Sequence, residues 1–213
     1  MKNALNRKAS FVLVGGKSGT GKTTYLERYI VGSHHQRVFI FDHQGELGER
    51  LGIQASMTLA SAYEQSAKNR FIAYDFSDEA PADKEGAFEA FATYVFEFAK
   101  LNAPRGVETL FVCDEVQQLL TQWEIPTPLK AILETGRRRR LDGLFGMQQF
   151  NAVHNVMRNQ VTEIVALTQT DETALKFLDS QGFDPEQVRS LPQLHYVWKK
   201  CITGEFREGQ IKY

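Results

Sequence analysis

The sequence predicts an α/β domain: a mostly parallel central sheet flanked by helices and finished by a C-terminal β-hairpin. Short β-branched and aromatic runs alternate along the chain with segments whose apolar residues recur at helical spacing. Strands that alternate with helices imply a parallel sheet covered on both faces. The last two extended runs, Leu194 to Lys200 and Phe206 to Tyr213, lie on either side of Thr203-Gly204, a hairpin signal.

The 213 residues suffice for one α/β domain with a sizeable core, and the whole chain, 1–213, reads as that one domain. Formal net charge is −1, so a surface for nucleic acid must be a local patch or a pore lining. No apolar run approaches the roughly 20 residues needed to span a bilayer. Met1 to Lys8 is not followed by the apolar core of a signal peptide. A cytosolic protein, or one carried by something assembled in the cytosol, is expected. Cys113 and Cys201 lack metal-site spacing, and Cys113 lies in an apolar run as an inert core residue would.

Phe11 to Val14 is the first buried strand. Gly16-Lys-Ser-Gly-Thr-Gly-Lys22-Thr23 then matches the phosphate-binding loop G-x-x-x-x-G-K-[ST], and Tyr25 to Val31 continues as a helix. Gly16, Gly19 and Gly21 allow backbone conformations that a Cβ blocks. Lys17, Ser18, Thr20 and Thr24 complete a loop that aims amides at one anion, at the positive end of the helix. In such a P-loop Lys22 reaches the β- and γ-phosphates of ATP, and the Thr23 hydroxyl ligates Mg²⁺.

Val38 to Asp42 is the second strand, followed by the turn-like His43-Gln-Gly-Glu46. Leu59 to Asn69 reads as a helix and Phe71 to Asp75 as a third strand. Ser77 to Glu85, with several acids and Pro81, reads as an exposed loop leading into a helix. Phe88, Phe91, Val95, Phe96 and Ala99 recur at helical spacing through Leu101, and an aromatic stripe of this kind is core rather than a cofactor box. Pro104-Arg-Gly106 breaks the pattern. Thr109 to Glu115 is a buried strand ending in two acids. Helical segments interrupted by Pro126 and Pro128 reach Gly136, and Arg137 to Arg140 follow. Leu144 to Gln148 is a strand, Asn151 to Arg158 a short helix, Val161 to Leu167 a strand, and Asp171 to Ser180 a helix. Asp184-Pro-Glu186 opens a short helix with Asp as N-cap and Pro at its first position.

A strand ending in Asp-Glu acquires roles beside a P-loop. Asp114 can hold Mg²⁺, as in the Walker B motif, and Glu115 can polarise the attacking water as general base. Two strands and an intervening helix separate the loop from this acid pair. That favours the P-loop branch whose base follows the Walker B aspartate. In that branch the strand ending at Gln148 lies between the P-loop strand and the Walker B strand, so Gln148 can sense the γ-phosphate or position water; Gln149 is the alternative if the register is off by one. Arg137 to Arg140 has three readings: a solvated patch, a grip on DNA phosphates, or an arginine finger for the next subunit's nucleotide. His34-His35 reads as a polar helix end, and His43, His154 and His195 carry no signal.

Together these residues resemble the HerA–FtsK superfamily of DNA-pumping ATPases. The resemblance rests on Gly16 to Thr24, Asp42-His-Gln-Gly-Glu46, Cys113-Asp-Glu115, and Gly136-Arg137 followed eleven residues later by Gln148. Leu167-Thr-Gln-Thr-Asp171, Gly182-Phe-Asp184 and Ser190-Leu-Pro192 are similar to later segments of the family, so the likeness covers roughly residues 8 to 200. It implies a P-loop NTPase fold of the RecA-like, ASCE kind, ATP and Mg²⁺ as cofactors, a homo-oligomeric ring, usually hexameric, and double-stranded DNA as partner. It assigns the trans finger to Arg137. Without an amino-terminal barrel, a membrane anchor or a DNA-reading winged helix, the core looks most like the genome-packaging ATPases of double-stranded-DNA viruses with an internal membrane, the tectivirus kind. The expectation is a motor that packages viral DNA into a preformed capsid. Capsid or portal-vertex proteins would be partners, in the host cytoplasm and at the packaging vertex of the virion. A cellular or plasmid DNA translocase, which would be cytoplasmic, and a filamentous-phage-type assembly or export ATPase are the alternatives.

Overall fold

A computed structural model describes residues 9–42, 44–76, 81–121, 123–148, 150 and 153–212, without the side chains of 81–83. The strands are β1 (Phe11–Gly15), β2 (Arg37–Asp42), β3 (Phe71–Asp75), β4 (Thr109–Cys113), β5 (Leu141–Met147), β6 (Glu163–Ala166), β7 (His195–Lys200) and β8 (Glu205–Gln210). They form one eight-stranded sheet in the order β3-β2-β4-β5-β1-β6-β7-β8. β1 to β6 are mutually parallel, while β7 pairs antiparallel with β6 and β8 with β7. The mostly parallel sheet and the C-terminal hairpin expected from the sequence are both present.

Residues alternate between the two faces, and the faces differ in kind. Val12, Val14, Val38, Ile40, Leu110, Val112 and Leu144 point to one side, against Leu26 and Ile30 of helix α1 (Lys22–Gly32) and Leu47 of α2 (Glu46–Arg50). Phe11, Leu13, Phe39, Phe41, Phe111 and Phe145 point to the other. There they meet Phe88, Phe91 and Val95 of α4 (Pro81–Asn102) and Ile132 of α5 (Thr127–Thr135). Several of the rings meet edge-on, Phe41 and Phe88 with centroids 5.1 Å apart at 85°, a geometry that suits the ring quadrupoles. The remaining helices are α3 (Leu59–Ser66), α6 (Asn155–Gln160), α7 (Glu172–Ser180) and α8 (Pro185–Ser190). Asp184 caps α8 as expected, accepting from the amides of Glu186 and Gln187.

Several boundaries differ from the sequence reading. Helix α4 begins at Pro81, so residues 81–85, expected as loop, are its first turn; proline's missing N–H costs no bond there. Ser77 to Ala80 lie outside the described residues. Pro126 and Pro128 do not interrupt a helix but start α5, Pro126 standing at its N-cap. β5 begins at Leu141, three residues before Leu144, because Asp142 is a buried strand residue rather than a connector. Asp142 Oδ2 accepts from His35 Nε2 at 2.8 Å and Oδ1 from the Ser10 amide at 2.9 Å. His34-His35 is therefore not a polar helix end: His35 is 3% exposed. Gln44 and Gly45 form the expected turn after Asp42 and lead into the short helix α2, while His43 lies outside the described residues. Cys113 is buried, and burial pushes its thiol well up, as an inert core residue requires. Among the described residues no helix is long and apolar enough to cross a membrane.

Candidate active site

β1 sits between β5 and β6, and the loop after it crosses the carboxyl ends of the parallel strands. The Gly16 amide donates to the carbonyl of Met147, the last residue of β5, and the Lys17 amide to the Thr168 carbonyl beyond β6. These bonds fasten the loop to both neighbours of its own strand. The Thr20 amide and hydroxyl both donate to the Lys17 carbonyl, closing the turn. Gly16, Lys17 and Thr20 therefore shape the loop, while Ser18, Gly19, Gly21, Lys22, Thr23 and Thr24 line a cavity of about 420 Å³. Gly19 and Gly21 have φ of 77° and 108°, where a side chain is strained. A Cβ on Gly21 would also stand 2.6 Å from Leu194 Cδ2.

Helix α1 starts at Lys22, earlier than its apolar spacing implies, and its N-cap Gly21 offers no side-chain oxygen to the first-turn amides. A helix needs partners for those amides. An open N-terminus of eleven residues of helix, beside a lysine, is suited to an anion.

The acids arrive from the neighbouring strands. β4 ends at Cys113, and Asp114 Oδ2 accepts from the Thr23 hydroxyl at 3.4 Å, with Oδ1 taking the Glu115 amide at 2.8 Å. Gly146 on β5 makes room for this carboxylate, since a Cβ there would stand 2.1 Å from Asp114 Oδ1. Burial raises the Asp114 carboxyl above its ordinary value, Lys22 pulls it back, and Glu115 and Glu46 raise it further. Asp42, at the end of β2, is also raised, first by burial and then by Asp75 and Asp114, against the amides of Gly48 and Leu47 that it accepts.

Glu115 has φ 51° and ψ 40°, the left-handed region, at a non-glycine position. Such a conformation persists only where surroundings enforce it, and it clusters at functional sites. The side chain is 5% exposed. Gln118 Nε2 donates to Oε2 at 2.5 Å and Gln148 Nε2 donates to Oε1. Gln148 follows β5, which lies between β1 and β4, so the expected strand order brings it to the cavity with Glu115. Gln169 Nε2 in turn donates to the Gln148 carbonyl at 2.7 Å. Gln149 lies outside the described residues.

Arg137 is not in this cavity. It is exposed on the turn Gly136–Arg139, beside a cleft lined by Ala9, Phe11 and Thr162 at the amino ends of the strands. The seven residues of β5 separate it from Gln148, about 23 Å at the usual rise. Arg139 lies over the Phe96 ring at 4.4 Å, and Arg140 contacts Glu108 at 3.3 Å, so the four arginines divide between packing and exposure.

Sequence reasoning missed several cavity residues. Gln44, Glu46 and Arg50 enter from the β2–α2 segment, and Gln193 and Leu194 from the approach to β7. Gln193 Nε2 donates to the Gly19 carbonyl at 2.9 Å, and the Leu194 amide to that of Thr20 at 3.0 Å. The strand end Asp42-His-Gln-Gly-Glu46 was a signal for the first group; nothing local marks the second.

No protein-family profile matches the sequence, and no curated protein is similar to it at a significant level. Solved structures do match. The genome packaging NTPase B204 from Sulfolobus turreted icosahedral virus 2, in complex with AMPPCP, superimposes with a TM-score of 0.76 at 16% identity, over 96% of this chain and 98% of that one. VirB4 of Thermoanaerobacter pseudethanolicus superimposes with a TM-score of 0.62 at 11% identity, over 99% and 92%. ATPases 2 and 3 of EccC from Thermomonospora curvata reach 0.62 at 15% identity, over 96% of this chain and 37% of that one. The fold is that of the P-loop ATPases.

Proposed function

We propose that this chain is an ATP-hydrolysing motor that translocates double-stranded DNA and packages a viral genome into a preformed capsid. The observation that carries the ATPase part is the convergence in one cavity of an open helix N-terminus, Lys22, the Thr23–Asp114 pair and Glu115 held by Gln148. The packaging part is supported by the end-to-end likeness to B204, described as a genome packaging NTPase.

In this reading Lys22 and the α1 amides bind the β- and γ-phosphates of ATP. Thr23 and Asp114 supply two oxygens suited to Mg²⁺, a cation that keeps most of its other positions for water and phosphate; when bound it neutralises phosphate charge. Gln148 and Glu115 hold a water in line with the γ-phosphorus. The water oxygen forms the new bond, the bond to the ADP oxygen breaks, and the water's proton passes to Glu115. Burial disfavours the charged form of Asp114, a cost that a divalent cation bound there would offset. Arg137, at the far edge of the sheet, reaches a γ-phosphate across a subunit boundary, which requires a ring of copies, hexameric by family likeness. Capsid or portal-vertex proteins are the further partners of this reading, in the host cytoplasm and the virion.

A second reading, export of protein, is favoured by the likeness to EccC, described as a Type VII secretion ATPase. The deciding experiment measures ATP hydrolysis with and without duplex DNA at rising salt. The packaging reading expects stimulation that fades as salt displaces phosphate contacts. An absence of binding and stimulation at low salt, in assembled protein, points to export. Lys22→Ala is the control for the site: it should lose hydrolysis and most ATP affinity, and normal hydrolysis by that variant would sink the nucleotide assignment.

A further inference from the structure

A second cation lines the cavity besides Lys22 and takes no part in the proposed hydrolysis. Arg50, the last residue of α2, reaches the cavity from the β2 side, facing α1. Its Nη2 donates to the Thr24 hydroxyl at 3.0 Å and to Glu27 Oε2 at 2.9 Å, and its Nε donates to the same Glu27 oxygen at 3.1 Å. Both acceptors are on α1, one turn apart, so that edge of the guanidinium is fixed. Nη1 has a looser contact, Glu46 Oε1 at 3.5 Å. The fork is thus anchored along one edge, with its Nη1 side more weakly engaged beside the P-loop.

The charge balance of the cavity gives this arrangement a purpose. Glu46 and Glu115 line it, Asp114 adjoins it, and Lys22 and Arg50 are the cations among its described lining residues. A triphosphate brings about four negative charges, more than Lys22 and one divalent cation neutralise. Arginine is planar, permanently charged and able to donate two parallel bonds to phosphate oxygens. A guanidinium already immobilised on one edge loses little further freedom on binding.

The geometry points to Arg50 as a second phosphate-binding cation of this cavity, acting within its own subunit and held in place by Glu27 and Thr24. This rests on the nucleotide reading of the site. Arg50 engages the polyphosphate tail through Nη1, beside the first turn of α1. Nη1 exchanges its long contact with Glu46 for the incoming phosphate. The contribution therefore scales with the number of phosphates, because the interaction is between charges.

The test is calorimetric titration of the full chain with the Mg²⁺ complex of the β,γ-methylene analogue of ATP, with Mg-ADP and with AMP. Arg50→Ala should weaken the triphosphate analogue about ten- to a hundredfold, the range of a charged hydrogen bond, ADP less and AMP least. Arg50→Lys, which keeps the charge without the fork, should recover part of the loss. Arg50 could instead only staple α2 to α1. In that case Arg50→Ala would lower the unfolding midpoint of the nucleotide-free protein and leave all three affinities unchanged, or shift them equally. Either outcome overturns the proposal, as does a lysine variant no better than alanine. A wild-type chain that binds no nucleotide, or whose binding survives Lys22→Ala, sinks the nucleotide reading and this inference with it. Lys22-dependent binding that ignores Arg50 sinks this inference alone.

Discussion

At the amino-terminal edge of the sheet a buried carboxylate is matched; at the carboxyl-terminal edge several are crowded. Asp142 has the Ser10 amide on one oxygen and His35 on the other. His35 itself stacks on His34 with ring centroids 4.7 Å apart. At the other edge Asp42 and Asp114 are both raised by burial, and each is raised further by neighbouring acids. Glu115 adds a left-handed backbone conformation to the same edge. Asp42 also has an amide on each oxygen, so what separates the two edges is that the acids at the carboxyl edge stand close enough to raise one another. A buried group with its partners in place serves the fold. Buried acids that raise one another are the kind of group that a bound cation would stabilise, which fits the proposed nucleotide site.

The contrast can be broken from either side. The largest effect should come from Arg137, which lies at the amino edge and in the proposed reading serves the carboxyl-edge site of a neighbouring subunit. Arg137→Ala should bind ATP normally and hydrolyse it about 10³ to 10⁵ times more slowly, the range of arginine fingers. Mixed with Lys22→Ala, it should regain partial activity, since each variant supplies what the other lacks at shared boundaries. Exchanging subunits that regain nothing would return Arg137 to its own subunit's surface.

Glu115→Gln should follow, slowing turnover about 10² to 10⁴-fold while binding of ATP persists, because the amide keeps the shape and cannot take a proton. Loss of affinity with normal turnover at saturation would instead make Glu115 a binding residue.

His35→Ala at the matched edge should leave turnover per folded molecule nearly unchanged and cost about 3 kcal/mol of stability, the scale for stranding a buried carboxylate. Urea unfolding monitored beside ATPase activity reads both. Equal loss of activity and stability would mean that the two edges are not separable.

The smallest effect should be a gain. Because Asp42 and Asp114 have folded-state values above the ordinary 3.8, the folded chain holds protons more tightly than the unfolded chain. Stability therefore falls as pH rises from 3.8 through those folded values, and the penalty stands in full above them. Asp114→Asn removes one share of it. The nucleotide-free variant should melt a few degrees higher at pH 7, about 1 kcal/mol for a chain of this size, while losing activity. The gain is limited because Lys22 loses a partner. A lower melting point would show that Lys22–Asp114 attraction outweighs burial.

Much of this was legible in the chain. The P-loop, Asp114-Glu115 and Gln148 were identifiable because each sits at the end of a short apolar run, and run ends become strand ends. The hairpin at Thr203-Gly204 was legible for the same local reason. What escaped was what long-range register creates. Asp142 interrupts an apolar pattern, so β5 was read three residues short; its partner is 107 positions away. Arg50 carries no local signal, and Leu194 reads only as the start of a hairpin strand, until α2 and the approach to β7 fold against α1 and the P-loop.

The sequence by itself determined the chemistry available and the alternation of elements. Those follow from residue type and from spacing within about twenty positions, where backbone geometry leaves few choices. Tertiary structure decided which ends meet. Only the insertion of β5 between β1 and β4 brings Gln148 to Glu115, and only that same strand carries Arg137 to the opposite edge. Parallel pairing joins segments far apart in the chain through hydrogen bonds that any backbone can make. The partner of a strand is therefore chosen by the packing of the whole sheet, and no local pattern records it.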